Sequence, residues 1–347
     1  MVGGGLIGLA VTAALAERGV EVALIGEHRP GEASPAAAGM LAPSVERAPG
    51  PAHQFGIAAR DRYPSYIEFL AERTGIKVPL NRLGILQVAF SEKGVKGLRK
   101  SALPTTRWLD AKELQHFEPG LPHALGAMFS AQDGAVDNVA LLEALKKLCS
   151  TSKWTQRVDA SVRSVKPRAD SCTVTTESGK EHVAPKVVIA AGAWAGKISG
   201  ARLAKSVKPA RGQLVSYSST PLRHVSYGPR GYIVPRGAVT IGGSTMEDVG
   251  FDSRTTETGV KKVRAAAEEI CPVLASSYTK AWAGLRPVTP DLLPIIGPDP
   301  KHSSLIYACG HSRNGVLMAP LTGDLIADLV TESPLSHDLS QFRPDRF

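Results

Sequence analysis

Arg286 is the residue around which chemistry is easiest to assemble. It lies in the apolar stretch WAGLRPVTPDLLPIIG, between Leu285 and Pro287. A guanidinium among such neighbours is costly to bury without an anion, and its planar fork matches a carboxylate through two parallel hydrogen bonds. An ion pair with an Asp or Glu is the purely structural alternative. Downstream, Leu305 to Ala308 reads as a buried strand, and Gly310, His311, Ser312, Arg313, Asn314 and Gly315 form a turn that opens a helix. From Val316 and Leu317 to Val330 apolar residues recur at helical spacing, with Thr322, Gly323 and Asp324 breaking the run. The unpaired N–H groups of such a first turn suit a partly negative ligand atom. Arg313 adds a second cation there, and His311 reads as a hydrogen-bonded loop histidine rather than an acid or base.

A second cluster opens the chain. Gly3, Gly5 and Gly8 give GxGxxG, followed by the apolar helix containing Leu9, Val11, Ala14 and Leu15, and by a strand from Val20 to Ile25. That is a dinucleotide-binding βαβ unit, with glycines for the tight turn, for approach of the pyrophosphate and for close packing of helix on strand. Leu6 and Ile7 lie at the helix N-terminus, where the phosphates belong. Two features depart from the fingerprint. Only Met1 and Val2 precede Gly3, so the first strand is either a stub or incomplete in this sequence. The acidic residue expected at the end of the second strand is replaced by Gly26, leaving Glu27 as the available carboxylate. The loop RPGEASPAAAGMLAP follows. Its small residues, among them Ala33, Ser34, Ala38 and Gly39, let backbone lie along an extended ligand, and Met40 is placed to pack near an aromatic ring.

A chain of 347 residues accommodates two domains to hold these residues, and 34 glycines, a 43% apolar fraction and few aromatics fit an α/β enzyme. The excess of 41 basic over 32 acidic residues is spread without a basic run. It reads as a solvated surface and argues against nucleic-acid or membrane partners. The four cysteines, Cys149, Cys172, Cys271 and Cys309, form no CxxC pair, so no metal site or disulfide framework is expected, and a cytoplasmic location fits. Cys309 reads as a small buried strand residue rather than a cofactor attachment point. HQFGIAARDRYPSYIEFLAERTG is helical with Pro64 in its middle, hence a kinked helix or two helices. Asp137 or Asn138 is positioned to cap the next helix.

Read together, GGGLIG, AAAGMLAP, VVIAAGAWAG, YIVPR, WAGLRPVTPDLLPIIG and GHSRNGVLMAP resemble the glycine oxidase family of thiamine biosynthesis, within the D-amino-acid-oxidase-like flavoproteins. The similarity runs to about residue 330. It implies a Rossmann-like FAD-binding domain beside a second, largely antiparallel-sheet substrate domain. It also implies non-covalent FAD, a small amino acid as substrate and molecular oxygen as electron acceptor. Tetramers occur in the family, which makes a homo-oligomer one expectation. The resemblance places the substrate carboxylate on Arg286 and Tyr232, Arg313 beside the carboxylate or the flavin, and Met246 on the pocket wall. Val162 is then expected to meet the adenine through its backbone, and Gly192 to end a strand where backbone passes the cofactor.

The FAD-binding domain is expected to be discontinuous, over residues 1–76, 131–206 and 283–347, with the substrate domain built from 77–130 and 207–282. No set of catalytic Ser, His and Asp, paired carboxylates or metal-spaced ligands accompanies the arginines, so the electron chemistry falls to the cofactor. The expected reaction is oxidative deamination of glycine, sarcosine or a small D-amino acid. Three other readings exist. A quinone-linked D-amino-acid dehydrogenase would use the same amine chemistry with another acceptor. An NAD-dependent dehydrogenase would have no use for AAAGM and GHSRNG. A non-catalytic descendant would not take up FAD.

Overall fold

The computed structural model describes all 347 residues. Its first sheet is built from short strands, of which Val22–Ile25 and Val187–Ile189 are wholly apolar. Thr155–Val158 pairs in parallel with Val22–Ile25, and Val187–Ile189 pairs in parallel with His302–Cys309, on which Ile295–Asp299 folds back antiparallel. Met1 to Gly3 join the two halves. The Val2 N–H donates to the Val188 carbonyl at 2.9 Å, and the Val2 carbonyl accepts from Ala190 at 2.7 Å. On the other side Ile25 donates to Met1 at 2.9 Å and Gly3 donates to Ile25 at 2.8 Å. The short segment before Gly3 thus pairs on both edges at the centre of the sheet.

Side chains alternate across this sheet and both of its faces are buried, which is why Val22–Ile25, Val187–Ile189 and the stretch from Leu305 to Cys309 read as continuous apolar runs. Leu24, Val188, Ile306 and Ala308 face a core shared with the helices Leu6–Glu17, Asn138–Thr151 and Gly315–Val330. Ile25, Ile189, Leu305, Tyr307 and Cys309 face the opposite core, closed by Val165, Cys172 and Val174 of a three-stranded antiparallel meander. Gly315–Val330 is one helix, as its apolar spacing predicts, and Thr322 to Asp324, which break the apolar run, lie within it. Thr322 hydrogen-bonds His311 and Asp324 accepts from Arg62, while a Cβ on Gly323 would stand 2.8 Å from the Ala10 carbonyl oxygen. The glycine is there because the two helices touch. Pro320 lies inside the same helix and cannot donate to the Val316 carbonyl. The buried Tyr63 hydroxyl, from the helix Tyr63–Thr74, donates to that oxygen instead.

The second sheet has eight strands, all neighbours antiparallel except Val225–Tyr227 with Ile85–Ala89. Helix Glu257–Ile270 covers one face through Val263, Ala267 and Ile270, packed on Val215, Tyr217 and Ile233. The other face carries Leu214, Tyr232, Val234 and Ile241 against Ala38 and Ala42 of the small-residue loop. Pro51–Asp61 and Tyr63–Thr74 are two separate helices, with Pro64 in the first turn of the second. The boundary expected between residues 282 and 283 falls within one strand, Tyr278–Val288, whose pairing with Lys208–Tyr217 carries Arg286 into the second sheet.

Candidate active site

One cavity of about 520 Å³ is lined by both groups of residues that the sequence singles out. Gly3, Gly5, Leu6, Ile7, Gly26, Glu27, Ala33, Ser34, Ala38, Gly39, Met40, Val162, Gly192, His311, Ser312, Arg313, Gly315 and Val316 all reach it, as do Tyr232 and Arg286. Four of the expected residues do not. Met246 lies beyond the strand Val239–Gly243 and is 52% exposed, so the expectation that it walls the pocket is corrected. Leu317 turns into the apolar core one position past Val316, because successive helical side chains diverge by about 100°. Asn314 is the helix N-cap without lining the cavity. Gly8 acts behind the wall, where a Cβ would come within 1.9 Å of the Gly3 carbonyl oxygen.

The glycine end fits a dinucleotide. Helix Leu6–Glu17 starts at Gly5 with no side-chain cap, leaving first-turn donors toward the cavity, except that Leu6 N–H is taken by Ser34 Oγ at 2.9 Å. A Cβ on Gly3 would meet the Ala190 oxygen at 2.4 Å, and one on Gly26 the Gly4 nitrogen at 2.7 Å, so the crowded turn admits no side chains. Glu27 follows the second strand as its available carboxylate. It accepts from Ser161 and lies 3.3 Å from Arg29, whose guanidinium rests over Trp194. Arg29, Ser161 and Trp194 were not identified from the sequence. The small-residue loop is fixed from two distant segments: Arg236 donates to the Ala38 carbonyl at 2.8 Å and to Asn138 Oδ1 at 2.7 Å, and Asn138 donates to the Ser34 carbonyl at 2.7 Å. Asp137, not Asn138, caps the helix Asn138–Thr151.

At the arginine end, Arg286 donates to the Thr245 carbonyl at 3.1 Å and to Ser244 Oγ at 2.7 Å. No Asp or Glu oxygen lies within 4.0 Å of it, which disposes of the structural ion pair. Gly212, on the neighbouring strand, makes room: a Cβ there would stand 1.9 Å from Arg286 Nη1. Tyr232 is 8% exposed, and burial raises its hydroxyl above the usual phenol range against the opposing pull of Arg286, so it stays a neutral donor. Its ring centroid is 5.4 Å from that of Tyr227, whose hydroxyl donates to Glu46 Oε1 and contacts Met40 Sδ, each at 2.8 Å. Glu46 in turn lies 3.5 Å from Arg313 Nε. Tyr227 and Glu46 were also missed in the sequence.

The turn between strand and helix ties the two ends together. Ser312 takes φ 50°, a left-handed conformation uncommon outside glycine, and its N–H donates to the Pro287 carbonyl at 2.9 Å, beside Arg286. His311 Nε2 is 3.2 Å from Thr322 Oγ1, and burial lowers its pKa to about 3. The imidazole is therefore neutral, in keeping with a loop histidine rather than an acid. Cys309 is buried with its thiol pushed up to about 12, a poor nucleophile. No group of three or more metal-binding side chains occurs, and no helix is long and apolar enough to cross a membrane.

A parallel sheet with a glycine cradle, joined through one cavity to an antiparallel sheet that presents an uncompensated arginine, defines a flavin-dependent oxidoreductase of the two-sheet kind. Residues 1–329 match the family described as FAD dependent oxidoreductase, and the chain belongs to that family. It is 33% identical over its whole length to the bifunctional protein ThiO/ThiG of Synechocystis sp., of which it spans 53%. It is 34% identical to glycine oxidase of Geobacillus kaustophilus, with 99% of this chain and 95% of that relative aligned. The chain thus spans about half the length of the bifunctional relatives and nearly all of the glycine oxidases. The crystal structure of the Geobacillus kaustophilus glycine oxidase superposes with a TM-score of 0.91, at 33% identity, covering 100% of this chain and 97% of that one. That of iminodiacetate oxidase from Chelativorans sp. BNC1 superposes at 0.89, with 25% identity over 99% and 98%.

Proposed function

We propose that this chain oxidatively deaminates glycine, and sarcosine or small D-amino acids alongside it, giving a 2-oxo acid, the released amine and hydrogen peroxide at the expense of oxygen. One observation carries the reading. Arg286 lines the same cavity as the dinucleotide cradle and faces it without any carboxylate of its own. Its protein partners are a carbonyl and a hydroxyl, so a substrate carboxylate has a cation ready to receive it.

Gly3, Gly5, Gly26 and Glu27 would hold the nucleotide part of FAD, with the small-residue loop and the turn His311 to Val316 around its remainder. The bound flavin supplies the two-electron acceptor that no side chain offers. Arg286 grips the substrate carboxylate and Tyr232, kept as a phenol by burial, donates a further hydrogen bond to it. Between them they fix the α-carbon, and positioning of this sort accounts for a large part of enzymatic rate. His311, neutral and engaged with Thr322, shapes the turn and moves no proton. Cys309, buried with a high thiol pKa, favours a cofactor held without a covalent bond.

The same likeness to glycine oxidases supports a role in supplying the glycine-derived imine from which the thiazole of thiamine is made, and supports a soluble, cytoplasmic, self-associating protein. The test of the activity is oxygen uptake by the FAD-loaded protein with glycine, sarcosine and D-alanine in turn, with peroxide and 2-oxo acid assayed in the same vessel. Uptake matched by peroxide supports the proposal. Flavin reduction without oxygen uptake would replace oxygen by another acceptor such as a quinone.

A further inference from the structure

Three arginines line the cavity, and they differ in what they face. Arg29 is 3.3 Å from Glu27 and Arg313 is 3.5 Å from Glu46, so two of the three already have a carboxylate. Arg286 alone has none. Glu46 is the residue that makes this difference at the arginine end, and its placement is built in. Its second oxygen accepts from Tyr227 at 2.8 Å, and its side chain is only 12% exposed. Its backbone N–H closes a turn on the Ala42 carbonyl at 2.8 Å. That turn is pinned by the fully buried Asp133, which accepts from both the N–H and the hydroxyl of Ser44 at 3.0 Å and is itself paired with buried Arg60 at 2.9 Å.

We infer that Glu46, by occupying Arg313 and presenting negative charge to the cavity, restricts the site to substrates with a single carboxylate. This rests on the proposed amino-acid oxidase function and names the feature that sets its substrate class. A monocarboxylate such as sarcosine seats its one anion on Arg286. A dicarboxylate of the same backbone, in which the N-methyl is replaced by N-carboxymethyl, brings a second anion toward a cation that is already neutralised and a carboxylate that repels it. Discrimination of this kind works by an unfavourable contact with the wrong ligand as much as by a favourable one with the right ligand.

The test uses two inert ether analogues, methoxyacetate and diglycolate, which carry one and two carboxylates on otherwise matched skeletons and have no amine to oxidise. Each is titrated calorimetrically into the FAD-loaded wild type, the Glu46→Gln variant and the Glu46→Gln/Arg313→Gln double variant. Glutamine keeps an acceptor for Tyr227 and removes only the charge. The wild type is expected to bind methoxyacetate more tightly. Glu46→Gln is expected to move the affinity ratio toward diglycolate by about tenfold or more, as befits release of one close ion pair. The double variant is expected to cancel that shift.

A wild type that prefers diglycolate overturns the inference without any variant. A ratio within threefold of wild type in a folded, FAD-loaded Glu46→Gln protein overturns it as well, and so does a shift that survives loss of Arg313. Turnover of glycine by the wild type is measured separately. Its absence would sink the proposed oxidase function while leaving the affinity ratio to decide this point.

Discussion

Replacing Gly212 by alanine is a sharp perturbation because it adds one methyl group to a strand and leaves every charge in place. The new Cβ would stand 1.9 Å from Arg286 Nη1, and 2.4 Å from Cζ. Around Gly212 the strand is hydrogen-bonded on both edges, to Tyr278–Val288 on one side and, through Arg211 and Gln213, to Glu247 and Thr245 on the other, so its backbone has nowhere to retreat. The guanidinium must move instead, by roughly 1.5 Å to regain van der Waals distance near 3.5 Å. Its bonds to the Thr245 carbonyl and Ser244 Oγ, now 3.1 and 2.7 Å, are too short to survive such a shift. A misplacement of about 1 Å at a positioning group costs about 10²-fold in rate. The expected result is a fall of that order in kcat/KM for glycine, with FAD content kept and only a small loss of thermal stability, since a long side chain yields rather than the sheet. Steady-state oxygen uptake at varied glycine, with the bound flavin quantified by its spectrum, measures it. A folded, FAD-loaded Gly212→Ala protein within threefold of wild type would refute the assignment of the carboxylate to Arg286.

Further outcomes follow from other parts of the molecule. Gly26→Ala sets a Cβ 2.7 Å from the Gly4 nitrogen in the nucleotide cradle, and titration of the apoprotein should give a Kd for FAD raised at least about tenfold. Tyr63→Phe removes the donor that serves the Val316 carbonyl, where Pro320 has no N–H, and should cost about 1–3 kcal/mol in urea unfolding. His311 has a folded pKa of about 3 against 6.5 when unfolded, so the unfolded chain binds the extra proton first. Stability is then unaffected by this residue above pH 6.5, and falls as pH drops from 6.5 toward 3, by up to about 2 kcal/mol on reaching pH 5. His311→Gln should flatten that portion of the stability profile relative to wild type, as followed by denaturant unfolding at pH 7, 6 and 5.

What the sequence discloses and what it hides divide along physical lines. Gly3, Gly5 and Gly26 are legible because a crowded turn tolerates only one residue type, and Arg286 because a cation in an apolar stretch demands an explanation. Its partners are hidden, since Thr245 and Ser244 come from another strand and the space for the guanidinium comes from a glycine 74 positions away. The same holds for Arg236 and Asn138, which fix the small-residue loop from two distant segments, and for Glu46 and Tyr227, an acid in a loop and an aromatic in a strand with nothing local to join them. Periodicity held from Val316 to Val330, but the reason for the polar and small residues at Thr322 to Asp324, a contact with another helix, lies outside the local sequence. Contiguity misled at Asn314 and Leu317, because a helix sends neighbouring residues to different faces. Met246 was placed by resemblance alone, and here it projects to solvent.

The proposed chemistry depends on one cavity holding both FAD and an amino acid whose carboxylate sits on Arg286. It is tested most directly by the visible spectrum of the FAD-loaded protein as glycine is added in the absence of oxygen. The flavin band is expected to bleach, to recover with formation of peroxide when air is admitted, and at the same glycine concentration to bleach far more slowly in Gly212→Ala. A flavin spectrum unmoved by glycine, sarcosine and D-alanine alike would contradict it.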